Sequence, residues 1–170
     1  MQRGMIGSMT PAGIQTRLVN ALYTDAMLLA DEARSYFDDR SRQDRDTLPP
    51  VARVAFSCES LKVTTRLMHV IAWLLVRRAV AAGELTPMEA LTPNRRLSDE
   101  IASEDAVLSG LPDEARHLVE ASQALFRRAA ALDRALAGDA EMAAAAGAAS
   151  PVRAMQHDLL ARLGRGGVAA

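Results

Sequence analysis

Cysteine, lysine and aromatic residues are scarce in this sequence of 170 residues. It contains one cysteine, Cys58, and one lysine, Lys62, and aromatic residues make up 4% of the chain. A lone cysteine cannot close a disulfide within the chain, and the N-terminus lacks the basic and then apolar pattern of a secretory signal. Together these absences predict a reducing, cytoplasmic setting.

Long apolar runs and an excess of positive charge are also missing. The apolar run at 67–76 is closed by Arg66 on one side and by Arg77 and Arg78 on the other, whereas a membrane-spanning helix needs about 20 apolar residues. The formal net charge is -1, without the basic excess that a phosphate-binding surface usually carries. The sequence therefore predicts neither a membrane nor a nucleic acid as partner.

Motifs that would carry catalysis or bind a cofactor are absent as well. The chain has no glycine-rich phosphate loop and no nucleophile motif. Its three histidines, His69, His117 and His157, lie in different segments without a second ligand at helical spacing, so no metal site is predicted. The sequence thus predicts no catalytic, cofactor-binding or metal-binding residue.

What is present is a strong helical pattern, centred on a long helix at about 49–82 that ends before Gly83. Apolar or small residues recur there in alternating steps of four and three, a heptad seam that only a helix presents on one face. The seam comprises Val54, Cys58, Leu61, Thr65, Met68, Ala72, Leu75 and Ala79. A second apolar row, Leu67, Ile71 and Leu74, predicts that this helix is covered from more than one side, by helices of its own chain or by a partner subunit.

Two further heptad seams predict helices at about 11–39 and 112–137. The first begins at the proline of Thr10-Pro11, and the last begins with acidic residues at the positive end of its dipole. Their seams are Leu22, Ala26, Leu29, Ala33 and Tyr36, and Ala115, Leu118, Ser122, Leu125, Ala129, Leu132 and Leu136. Three matched seams predict an all-α fold, an antiparallel three-helix bundle over residues 10–137, and the second apolar row of the central helix predicts a homodimer.

The segments between the helices carry no seam. The polar run at 38–46 is predicted to reverse the direction of the chain. Thr86 and Glu89 have the spacing of a capping box, which predicts a short helix after the central one. The acidic stretch at 93–111 is predicted to be a linker, with one helical turn near residues 99–102.

Residues 1–9 and the C-terminal residues 138–170 are predicted to be flexible. The alanine-rich part at 138–150 has too little apolar bulk to pack. Residues 151–163 predict a short amphipathic helix, and because about 13 residues are marginal for a helix in water, we expect it to fold only in a partner's groove. Its apolar face, which we interpret as a set of partner anchors, is Val152, Met155, Leu159 and Leu163.

One stretch of the chain is distinctive enough to indicate a family. It is Cys58-Glu59-Ser60-Leu61-Lys62-Val63-Thr64-Thr65-Arg66-Leu67-Met68, continued by Ala72-Trp73-Leu74-Leu75, by Arg78-Ala79-Val80 and by Gly83-Glu84-Leu85-Thr86. This string resembles the RcdA family, the regulators of CtrA degradation. The match is sharp over about residues 55–86 and only architectural elsewhere. The resemblance implies a three-helix bundle that self-associates and is followed by a disordered C-terminal tail.

The same resemblance implies a non-enzymatic adaptor for the ClpXP protease in bacterial cell-cycle control. Such an adaptor acts after a CpdR-like adaptor has primed the protease, tethers cargo transcription regulators, and can recruit a PopA-like adaptor. The stretch at 93–111 and the tail after residue 137 do not match the family. The small apolar C-terminus formed by Ala169 and Ala170 is similar to the tags that ClpX-type unfoldases recognise, so we interpret it as a weak protease handle.

Two alternatives stay open on the sequence alone. Arg66, Arg77 and Arg78 flank the apolar run and would suit a small helical anion-binding or enzymatic domain. The other alternative is a purely structural homo-oligomer.

Overall fold

The computed structural model describes residues 11–148 together with Met155, and within them every regular element is a helix. The three long helices are α1 (Pro11–Ser35), α3 (Pro50–Ala81) and α5 (Asp113–Ala148), and α3 is the central one. The short elements are a π-helical turn (Tyr36–Arg40) that continues α1, then α2 (Arg42–Thr47), two 3-10 turns (Glu89–Leu91 and Pro93–Arg95) and α4 (Asp105–Leu108). The predicted all-α, antiparallel three-helix bundle is confirmed.

The core of the bundle lies where two of the three predicted seams meet the central helix. On α1, Leu22, Ala26 and Tyr36 are at most 1% exposed, and on α5 Leu118 and Ala129 are fully buried. The buried apolar side chains of α3 are Phe56, Val63, Leu67, Val70, Trp73 and Leu74. Most positions of the seams predicted for the first and third helices are therefore core positions, as is the second apolar row of α3 at Leu67 and Leu74, whereas Leu29, Leu132 and Leu136 are half-buried.

The heptad seam predicted for the central helix is on the wrong face. Val54, Leu61, Met68 and Leu75 are 65%, 68%, 64% and 47% exposed, and we call these four residues the exposed stripe. The opposite face of α3 is buried although it carries Glu59, Arg66 and Arg77. Because these charged side chains bind partners inside the fold, their face is the one that packs, and the purely apolar face remains open to solvent.

The polar run at 38–46 is helical rather than a simple reversal. The Tyr36 hydroxyl donates to Asp44 Oδ2 at 2.9 Å, and Ser41, which is 1% exposed, donates to the Phe37 carbonyl at 2.9 Å. Burial and the hydrogen bond to Asp44 raise the pKa of Tyr36. These contacts fold the run back onto the bundle as α2, and the chain reverses after it, at the extended backbone of Leu48 and Pro49.

Two predicted boundaries agree with the structure and one does not. Gly83 ends α3 as expected, with φ at 76° and the Glu84 N–H donating to the Ala79 carbonyl at 2.9 Å, a Schellman arrangement. The Thr86–Glu89 capping box also forms. The helical turn predicted near residues 99–102 is wrong, because that stretch is extended and the turn is α4, at Asp105–Leu108.

The alanine-rich segment continues α5 up to Ala148, so the end of the last helix predicted at residue 137 is wrong. Alanine has the highest intrinsic helix propensity, and a helix already started can continue through it without apolar packing. The chain divides into two compact units, residues 1–133 and residues 134–170. In the second unit the described residues are the C-terminal part of α5 and Met155; the rest of the predicted tail, like residues 1–10, lies outside the described residues.

Candidate functional site

The segment between α3 and α5, residues 82–112, packs against both helices through polar contacts, and we call it the connecting segment. It begins with the capping box, in which Thr86 donates through its backbone N–H and its hydroxyl to Glu89 Oε2, at 2.9 and 2.8 Å. These hydrogen bonds, the backbone one first, hold the pKa of Glu89 below its ordinary value. Ala90, the next residue, is fully buried. Within the stretch at 93–111, which was predicted to be a linker, Leu108 and Leu111 are buried, so that stretch packs on the bundle as well.

Asp133 on α5 joins the connecting segment to α3. Its Oδ1 accepts a hydrogen bond from the Trp73 indole N–H at 2.8 Å, and its Oδ2 accepts two from the Arg96 guanidinium, at 2.8 and 3.1 Å. Arg77 lies 4.0 Å from Oδ1, donates to the Ala90 carbonyl at 2.5 Å and covers the Trp73 ring at 5.4 Å. Burial lowers the pKa of Arg77, and the charge of Asp133 opposes that shift.

A second buried arginine, Arg66, also joins α3 to α5 and to the connecting segment. It lies about three turns before Arg77 on α3. Arg66, which is 1% exposed, donates through Nη1 to Ser122 Oγ and through Nη2 to the Ile101 carbonyl, both at 2.6 Å. Burial lowers its pKa, while Glu100 and Glu59 favour its charged form. Ser103 donates to Glu59, and Lys62 pairs with Glu59 at 2.8 Å. Glu59 therefore has one partner on its own helix and another in the connecting segment.

These contacts weigh against an anion site made of Arg66, Arg77 and Arg78. Arg66 and Arg77 are buried and bind internal acceptors, and they lie about 16 Å apart along the helix axis. Arg78 stacks over the Tyr23 ring at 4.5 Å. The three guanidinium groups therefore do not converge on one ligand, and the first two hold the fold together.

The exposed stripe is the surface of α3 best suited to bind another helix. Its four residues recur every seven positions over roughly 30 Å of helix, with Cys58 also exposed between the first two. A row of large apolar side chains at heptad spacing is the pattern by which one helix packs against another. The sequence analysis assigned these residues to the core as a heptad seam, whereas they are exposed in the structure.

A cleft lies between α3 and the connecting segment, beside the Asp133 junction. Its cavity volume is about 220 Å³. It is lined by His69, Ala72, Trp73, Val76, Asn94, Arg95, Arg96 and Ser98. His69 Nδ1 and the Ser98 hydroxyl share a hydrogen bond of 2.7 Å across the cleft.

Comparison with known proteins identifies the family. A family model described as "Protein of unknown function (DUF1465)" matches residues 11–163. The crystal structure of RcdA from Caulobacter crescentus CB15 superposes with a TM-score of 0.58, at 33% sequence identity over 70% of this chain and 90% of that one. The chain belongs to the RcdA family. None of the curated proteins searched matches it.

Membership of the RcdA family confirms the resemblance drawn from residues 55–86, but the predicted tail anchors are not placed by the structure. Val152, Leu159, Leu163, Ala169 and Ala170 lie outside the described residues. Met155 is helical and 70% exposed. In the described part of the chain, no helix is long and apolar enough to cross a membrane.

Proposed function

We propose that this protein is a non-enzymatic adaptor that tethers cargo proteins to the ClpXP protease for regulated, cell-cycle-linked degradation. The observation that carries the proposal is the similarity to RcdA, which extends over 70% of the chain. The mechanism is effective concentration, since a cargo held beside the protease is engaged far more often than one free in solution. The protein would work in the cytoplasm, with a CpdR-like adaptor that primes the protease and, for some cargo, a PopA-like adaptor.

The geometry of the bundle supports a scaffold better than a catalyst. The side chains whose pKa values are most affected by burial, Tyr36, Arg66 and Arg77, each bind a partner within the fold. Groups that hold the helices together in this way are unavailable for a substrate. By contrast, the exposed stripe remains as a surface for other proteins.

The tail is the second part of the proposal. We assign Val152, Met155, Leu159 and Leu163 as anchors for partners, and Ala169 and Ala170 as a weak handle for the protease itself. An amphipathic segment at the end of the chain can reach a partner while the bundle holds another.

Binding to purified ClpX tests both parts. The full-length protein should bind immobilised ClpX only when a CpdR-like adaptor is present. Replacing the four tail anchors by serine should weaken that binding or the capture of cargo by about tenfold or more, because each anchor loses the apolar surface that it would bury against the partner. The melting temperature of the serine variant should be unchanged. Absence of binding under primed conditions would refute the adaptor role, whereas full binding and capture by the serine variant would refute only the assignment of the tail.

We further propose that the exposed stripe joins two copies of this chain into a homodimer. Replacing Leu61 and Met68 by glutamate should weaken self-association more than about 100-fold, since two apolar side chains that each contribute about 1.5–3 kcal/mol on burial become charged. Sedimentation equilibrium over a concentration series measures the effect.

A matched control for the stripe is available elsewhere on the surface. Leu28 on α1 and Met88 in the connecting segment are 67% and 65% exposed, so the same double change to glutamate there should leave self-association unaltered. A wild-type chain that stays monomeric at high micromolar concentration would contradict the dimer. Equal weakening by both pairs would mean that the stripe is not the interface.

A further inference from the structure

We propose that the cleft between α3 and the connecting segment binds a short peptide segment of a partner protein that places a carboxylate beside an apolar side chain. The proposal deepens the adaptor function and rests on it for the kind of protein that supplies the peptide. The chemistry of the ligand follows from the residues that line the cleft.

The charge of the cleft favours an anion. The eight residues that line the cleft include no acidic residue, but they do include Arg95, Arg96 and His69. The Arg96 guanidinium is already paired with Asp133 at 2.8 Å. Arg95 contacts the Glu89 carbonyl at 3.4 Å, and its charge helps to lower the pKa of the Glu89 carboxyl, but it has no ion pair within 4.0 Å among the described residues. Of the two arginines it is therefore the less neutralised, and its positive charge is the one available to a ligand.

A single available cation indicates a carboxylate rather than a phosphorylated residue. A phosphate group carries a charge of about -1.5 to -2 and is usually bound by a cluster of arginines. A carboxylate carries one charge, and an arginine can bind it through two parallel hydrogen bonds. The Asn94 side chain, which is exposed and lines the cleft, supplies amide N–H groups for a remaining lone pair and a carbonyl for the peptide backbone.

The other wall of the cleft is apolar. Ala72 and Val76 lie one turn apart on α3 and flank the Trp73 ring, whose indole N–H is fixed by Asp133. A volume of about 220 Å³ is below the roughly 300–1,000 Å³ of sites that hold drug-sized molecules or cofactors. The cleft therefore suits one apolar side chain with an adjacent carboxylate, which is a fragment of a peptide.

Trp73 provides a direct probe, because it is the only tryptophan of the chain. Its indole N–H gives a single resonance in the ¹⁵N-correlated NMR spectrum of the full-length protein. Titration with N-acetyl-leucyl-aspartyl amide should shift that resonance with saturation. The isosteric N-acetyl-leucyl-asparaginyl amide should bind at least about fivefold more weakly, since it lacks the charge that strengthens a hydrogen bond to arginine.

Two variants separate the cleft from the rest of the surface. Arg95→Gln should reduce the affinity for the aspartyl probe at least about fivefold, whereas Arg34→Gln, an exposed arginine on α1, should leave it unchanged. Matching melting temperatures would show that both variants are folded. The proposal fails if the indole resonance does not respond, if both probes bind equally, if inorganic phosphate binds more tightly than the aspartyl probe, or if Arg95→Gln has no effect.

The outcome is independent of the protease. Probe binding with no delivery of cargo to ClpXP would refute the proposed function and leave the site intact. Delivery by a wild-type protein whose cleft ignores the probe would refute the site alone.

Discussion

Replacing Asp133 by alanine is expected to lower the free energy of unfolding by about 3–5 kcal/mol, a large part of the roughly 5–15 kcal/mol that stabilises a domain. Asp133 is 4% exposed, accepts hydrogen bonds from Trp73 and Arg96, and is the nearest counter-charge of Arg77. Its loss leaves the buried Arg77 uncompensated and the indole N–H without its acceptor. Equilibrium denaturation followed by the fluorescence of Trp73 measures the change.

The control for Asp133 is an aspartate whose ion pair is open to solvent. Asp31 pairs with Arg34 at 3.1 Å, and both side chains are more than 70% exposed, so Asp31→Ala should change the free energy of unfolding by less than about 0.5 kcal/mol. If Asp133→Ala were as mild as Asp31→Ala, the polar junction between α3, α5 and the connecting segment would not hold the bundle together.

Leu74→Ala is expected to cost about 2–5 kcal/mol, whereas Leu75→Ala should cost less than about 0.5 kcal/mol in the monomer. Leu74 is fully buried and its removal opens a cavity, while Leu75 is 47% exposed. The two residues are adjacent and chemically identical, so each serves as the other's control. The measurement is equilibrium denaturation at a protein concentration below that of self-association.

The opposite result would support the sequence prediction that the heptad seam of α3 faces the core. If Leu75→Ala destabilised the monomer as much as Leu74→Ala, the exposed stripe would belong to the core. A loss seen for Leu75→Ala only at high protein concentration would instead support the dimer.

The comparison of these two leucines shows where sequence patterns succeed and fail. On α1 and α5 the residues of the predicted seams include the buried ones, such as Leu22 and Leu118, so periodicity identified both the helix and its buried side. On α3 both faces carry apolar residues, and the periodic pattern alone could not say which one packs. The presence of Glu59, Arg66 and Arg77 favoured the wrong choice, because charged residues are rarely buried without partners.

The partners that reverse this choice are distant in sequence. Arg66 finds Ser122 and Ile101, and Trp73 finds Asp133, at separations of 35–60 residues. No local spacing predicts such contacts, and the acidic stretch at 93–111, which carries no seam, is therefore predicted to be a linker. Glu59, Arg66 and Arg77 lie on one face of α3, opposite the apolar one, and this placement is a signal that the charged face could be buried. The signal becomes informative only once the groups that bind these charged side chains are known.

The alanine-rich end of α5 illustrates a different limit. Low apolar content predicts a flexible linker from residue 138, yet α5 continues to Ala148. Alanine neither packs strongly nor opposes the helix, so its conformation is set by the helix that precedes it. Composition there predicts the absence of a core contact, and says little about the backbone.

The rate of cargo degradation by reconstituted ClpXP tests the adaptor function most directly. Purified protease, ATP, a CpdR-like adaptor and a candidate transcription regulator are combined with and without the full-length protein, and the loss of regulator is followed over time. We predict that degradation is faster only when this protein is present, and that free cargo-binding fragments of the regulator compete away the gain. An unchanged rate for regulators that bind the protein would contradict the account.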